Sequence, residues 1–193
     1  MSRRKAERPV RTPTGDWQVA VDPGNNGAIV AGRVVEGRLC VAAAVTWQHR
    51  VRKAGPCWVV RAGGEGWGSQ ERTTGSLFAV GEGFARWCDE LGVGAYRLTV
   101  EGLFGRGPTL ERLSWYAGLV AGPLLDGAVG AIERPLATSW RSEVLGVRGG
   151  TPADEAEQAA IEWARENVLG AGGVAGVGHV AEACAIAWWR ACR

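Results

Sequence analysis

The chain has 193 residues, of which 46% are hydrophobic and 22% charged, proportions that exclude an intrinsically disordered protein. Its 22 basic and 20 acidic side chains leave a net charge of +2, which by itself gives no reason to expect a nucleic-acid partner. No apolar run approaches the roughly 20 residues of a membrane helix, so no membrane partner is expected, and one domain is the default at this length.

Residues 1–16 read as a basic, flexible arm, with Arg3, Arg4, Lys5, Arg8 and Arg11 against Glu7 and Asp16. The arm leads into no apolar segment, so it is not a secretion signal. From Trp17 the pattern turns to strand: WQVAVD, the turn PGNNG, GAIVAGRVV, a second turn at Glu36-Gly37, and RLCVAAAVTW. That predicts a three-strand meander, which CWVV at 57–60 can extend. The Gly-rich stretch 61–75, RAGGEGWGSQERTTG, reads as a mobile loop.

Apolar spacing of three and four over Leu77, Val80, Phe84, Trp87, Cys88 and Leu91 predicts a helix over 76–91. YRLTVE follows as a strand. Pro108 opens a second helix with Leu110, Leu113, Ala117, Val120 and Leu124 on one face. A short strand is expected over 127–133 and a short helix over 138–145. Thr151 and Pro152 read as an N-cap and first helical residue of a helix running to about Leu169, and a last helix spans about 179–191. Trp87, Trp115, Trp163 and Trp188 fall on apolar helical faces and are expected in the core, whereas Trp67 has the setting to stack on a base. His49 reads as a surface residue or a backbone contact to DNA. The order, an antiparallel meander and then alternating strands and helices, calls for a mixed α/β sheet flanked by helices.

Three carboxylates stand in apolar surroundings. Asp22 ends the first strand, Glu101 ends the fourth, and Glu182 interrupts the apolar helix HVAEACAIAWW. A lone buried carboxylate is costly unless paired, protonated or bound to a cation. His179 precedes Glu182 by three residues, which makes them helix neighbours roughly 5–6 Å apart at Cβ. Two strand carboxylates with a helical His-x-x-Glu form an oxygen-rich donor set able to hold two Mg²⁺ ions, or Mn²⁺ in their place. Such a pair activates water in phosphodiester cleavage. The five cysteines (Cys40, Cys57, Cys88, Cys184, Cys192) are odd in number and form no CxxC pair, which favours reduced thiols in the cytoplasm. The phosphate-loop pattern G-x-x-x-x-G-K-[ST] is missing, as is the G-x-S-x-G elbow.

Four segments in order resemble the RuvC family of Holliday junction resolvases, phage members included, within the ribonuclease H-like superfamily. They are VAVDPGNNGAIVAG, TVEGLF, ERPLATSWRSEVLGVRGGTPADEAEQAAIEWA and GHVAEACAIAWW, and together they span most of 17–191. The resemblance implies one ribonuclease H-like nuclease domain over 17–193, with a mixed sheet of an antiparallel three-strand meander plus parallel strands. It implies a homodimeric crossover junction endodeoxyribonuclease that nicks four-way DNA junctions symmetrically, leaving 5′-phosphate and 3′-hydroxyl ends. Asp22, Glu101, His179 and Glu182 would be the catalytic metal ligands, with His179 either ligating or orienting water. Phe104 would be a base-stacking wedge, followed by Arg106. Apart from the resemblance, Gly118 and Gly122, four apart on the helix over 108–125, would let a second helix approach closely, though the same helix could equally pack on its own sheet.

The chain departs from the family pattern at 179 and 182, where two Asp are usual, and the 146–153 loop lacks the family's lysines. Arg141 and Arg148 are the available substitutes as DNA contacts. A catalytically silent binder of branched DNA, or a flap or RNA–DNA hybrid nuclease of the same fold, are the alternatives. The charge is also uneven. Residues 33–72 hold seven basic and three acidic side chains, while ten basic and fifteen acidic ones lie outside that stretch and the arm. The arm and meander are therefore the expected DNA-facing side.

Overall fold

A computed structural model describes residues 15–52, 55–64, 67–103, 107–170 and 177–193. The arm, except for its last two residues, lies outside them, as do Phe104 and Arg106. The meander forms as expected: β1 (Trp17–Asp22), β2 (Asn26–Val35) and β3 (Arg38–Arg52) pair antiparallel in succession. The β2–β3 turn places Glu36 at φ 49° and Gly37 at φ 77°, the doubly left-handed turn that suits the twist of a hairpin. β4 (Gly55–Gly64) and β5 (Trp67–Thr74) continue the sheet on one side. On the other side β6 (Tyr96–Val100) lies parallel to β1, giving the order β5-β4-β3-β2-β1-β6.

Helices cover both faces. α1 (Leu77–Glu90) is capped by Ser76, whose Oγ accepts from the Ala79 amide at 3.4 Å. α2 (Pro108–Ala121) runs into a 3₁₀ turn at Gly122–Leu124. α1 and α2 approach closely at Gly81, where an added Cβ would stand 2.3 Å from the Val120 carbonyl oxygen. α3 (Ala137–Trp140) continues as a π turn over Arg141–Leu145. Then come α4 (Ala153–Asn167), a three-residue strand β7 (Val168–Gly170) parallel to the start of β3, and α5 (Gly178–Ala191). This is a mixed α/β sheet flanked by helices, the architecture that the ribonuclease H-like resemblance implies. No helix among the described residues is long and apolar enough to cross a membrane.

Because side chains alternate across a strand, β1 feeds two cores. Val19 and Val21 join Phe84, Leu98, Val120 and Leu124 on the α1–α2 side. Ala20 joins Ala28, Ala44 and Val30 against α5 and α4 on the other. The α5 side of the core includes several small residues, with Ala181 and Ala185 of the helix fully buried in one cluster with Ala20, Ala28 and Ala44. The same parity carries Asp22 to the α5 face.

Several sequence expectations need correcting. Residues 61–64 and 67–74 are not loop but strand, the facing parts of β4 and β5. The two strands pair antiparallel with an irregularity between Ala62 and Gly64, and Arg61 and Glu71 face each other at 2.9 Å; the glycines hide the alternation. Over 127–133 no strand forms among the described residues, only isolated parallel bridges at Ala128 and Glu133. Pro152, not Thr151, stands at the N-cap of α4, and the Thr151 hydroxyl donates instead to the Arg148 carbonyl at 2.9 Å. α4 stops at Asn167, where the chain turns extended to pair with β3. Trp87 is buried and Trp163 packs on Trp188, but Trp115 is 68% exposed. His49 is half-buried, its ring 5.7 Å from that of Trp58.

Candidate metal centre

Three elements deliver the charged groups to one place. The parallel register pairs Val21 with Val100, so Asp22 at the end of β1 and Glu101 just after β6 come side by side, and the Glu101 amide donates to the Val21 carbonyl at 2.9 Å. Both follow the parity of Ala20 and Thr99 toward α5, whose first turn supplies His179 and Glu182. One ligand atom from each of Asp22, His179 and Glu182 lies within 4.8 Å of the others. Glu101 stands outside that tight set, its Oε1 accepting from the indole N–H of Trp140 at 2.9 Å. All three carboxylates are buried and His179 is half-buried.

His179 Nδ1 lies 3.0 Å from Asp22 Oδ2 and 4.0 Å from Glu182 Oε2. The turn after Asp22 is fixed from below, where the Trp47 indole donates to the Gly24 carbonyl at 3.0 Å. That ring has room only because residue 27 is glycine: a Cβ there would stand 2.4 Å from the indole and 2.5 Å from the Asp22 carbonyl oxygen.

Crowding like charges in a dry place favours their protonated forms. Burial pushes the Glu101 carboxyl up to about 8, with Asp22 adding to the shift and the Trp140 hydrogen bond opposing it. Burial, reinforced by Asp22, pushes Glu182 up to about 7 even though Arg141 pairs with it. The bond to Asp22 raises His179 against the opposing effect of burial, and Glu182 and Glu157 add to the rise. The metal-free cluster therefore retains protons that a divalent cation would displace. Carboxylate oxygens with one imidazole nitrogen are donors that suit Mg²⁺ or Mn²⁺, so the residues present fit such an ion.

Two residues complete the site that the sequence reading placed differently or missed. Arg141, expected as a DNA contact, pairs through Nη2 with Glu182 Oε1. Trp140, fully buried, was not singled out at all. Neighbours in sequence, they hold one carboxylate each. Arg148 is exposed, and with Arg141, Gly149 and Gly150 it lines a hollow of about 50 Å³. Phe104 and Arg106 lie outside the described residues.

No protein-family model matches the chain, and no curated protein does. Solved structures do. The RuvC of T. thermophilus in complex with Holliday junction substrate aligns over 92% of this chain and 93% of its own, with 12% identity and a TM-score of 0.49. A second Thermus thermophilus RuvC structure aligns over 91% and 93%, with 12% identity and a TM-score of 0.45.

Proposed function

We propose that the protein is a Mg²⁺-dependent, structure-selective DNA endonuclease that resolves four-way junctions as a homodimer, in the manner of the RuvC-type resolvases its sequence resembles. The observation that carries this reading is the meeting of Asp22, His179 and Glu182 within 4.8 Å, beside Glu101. Those four residues would hold two divalent ions, which activate water and stabilise the leaving oxygen of a phosphodiester. Asp22 fixes the His179 ring through Nδ1, and this leaves Nε2 as the nitrogen able to ligate or to orient water. Arg148, exposed beside the site, suits a backbone phosphate.

A junction with near two-fold symmetry needs two symmetric nicks, which a homodimer supplies. The outer side of α2 supports that assembly: Trp115 is exposed, and apart from the helix's own nearby backbone and chain neighbours nothing among the described residues lies within 4 Å of a Cβ built at Gly118 or Gly122. The close approach of α1 uses Gly81 instead.

On a synthetic junction, Asp22→Asn and Glu101→Gln should each abolish Mg²⁺-dependent nicking while junction binding persists in a gel-shift assay. Wild-type cutting rates in both variants would remove the metal-centre assignment. One observation favours a second reading, a silent binder of branched DNA: Arg141 already partners the Glu182 carboxylate. Comparing cleavage of a junction, a flap, an RNA–DNA hybrid and a linear duplex separates these activities.

A further inference from the structure

We propose that Arg141 is a built-in competitor for the metal: in the metal-free protein its guanidinium holds Glu182, and a divalent cation gains that carboxylate only by displacing or neutralising the pair. The inference rests on the metal-centre reading above and concerns how that centre is loaded.

Glu182 belongs to two groups at once. It completes the set with Asp22 and His179, and its Oε1 accepts from Arg141 Nη2. The pair is well shielded, with side-chain exposures of 25% for Arg141 and 8% for Glu182. Its attraction is therefore screened far less than that of a surface pair. A cation approaching Oε1 meets the guanidinium directly. One approaching Oε2, on the His179 side, still meets a fixed positive charge on the same carboxylate. Either way Arg141 opposes the ion.

The guanidinium is also poised to leave. Its carbon lies 5.2 Å from the centroid of the Trp140 ring, a stacking contact that does not depend on Glu182. Its Nε is buried with no hydrogen-bond partner among the described residues. The side chain borders the hollow that Arg148, Gly149 and Gly150 also line, and Arg141 opens a π turn, a local irregularity common at functional sites. Released from Glu182, Arg141 and Arg148 offer two guanidinium forks on one side, donors matched to a phosphate. A phosphate that draws Arg141 away favours the metal, and by reciprocity the metal favours the phosphate.

The test is a calorimetric titration of the full chain with Mn²⁺ alone, without DNA, on wild type, Arg141→Gln, Arg141→Met and Arg141→Lys. Met keeps the aliphatic stem over Trp140, so a neutral variant remains readable if Gln fails to fold. The neutral variants should bind Mn²⁺ about ten-fold tighter, since the pair they remove has the strength of a charge-assisted hydrogen bond. Lys, which keeps the charge, should stay close to wild type. Structural damage would weaken binding, so the sign separates competition from a packing role. Equal or weaker binding in the neutral variants overturns the inference and leaves the metal centre standing. Absence of Mn²⁺ binding in every protein overturns both.

Discussion

Trp140 carries no charge, yet it sets where Glu101 stands and how readily that carboxyl ionises, because its N–H points at Oε1 from a fully buried ring. Partners of this kind typically change metal affinity 10- to 100-fold when removed. Trp140→Phe keeps an aromatic ring and removes the donor. Its Mn²⁺ affinity, measured by calorimetry, should fall about ten-fold, and unchanged affinity would show that the bond does not hold Glu101 for the ion. At this scale the sequence was partly legible. Asp22, Glu101 and Glu182 stood out because each interrupts an apolar run, and His179 because of its spacing from Glu182. Trp140 and Arg141 reach carboxylates 39 and 41 residues away. Such pairings exist only once β6, α3 and α5 are packed, so no local pattern announces them.

Among the elements, the ends of β1 and β6 and the first turn of α5 bring acidic groups together, and this has a thermodynamic sign. Burial pushes the Glu101 carboxyl up to about 8 and Glu182 up to about 7 from the ordinary 4.5, and the bond to Asp22 raises His179. The folded state thus binds more protons than the unfolded one, so stability falls as pH rises through these values. The melting temperature of the metal-free protein should drop as pH rises from the ordinary carboxylate value of 4.5 to about 8, and the part of the drop above the range where ordinary carboxylates titrate is the diagnostic one. Saturating Mn²⁺ should flatten the drop. A melting temperature that stays level or climbs without metal would mean that these groups are not protonated in the fold. The strands that build the site were legible from apolar runs ending in turns. The β4–β5 hairpin was not: its glycines, bounded by the polar run SQERTT, resemble a loop until cross-strand pairing organises them. The N-cap of α4 was misplaced by one residue, because Thr151 spends its hydroxyl on Arg148.

The sheet has a core on each face, and among the described residues the outer side of α2 is left uncovered. Its most exposed large aromatic there is Trp115, which helical spacing assigned to the core. Apolar periodicity identifies a face that avoids water but not what covers it; in the proposed homodimer a second copy would cover this one. Trp115→Glu should shift the protein from dimer to monomer in sedimentation velocity and uncouple the paired nicks on a junction. A variant that sediments like wild type would place the interface elsewhere. The α/β class itself was readable from element order alone. The layer between α5 and the sheet reaches furthest. Ala20, Ala28 and Ala44 share one fully buried cluster with Ala181 and Ala185 of α5, and an added methylene at any of these positions strains the packing. It would lift the first turn of α5, and with it His179 and Glu182. Discrimination between cations is a matter of a few tenths of an ångström in bond length. With a divalent ion held as proposed, the radius the site accepts would thus be gauged by alanines outside its ligand set.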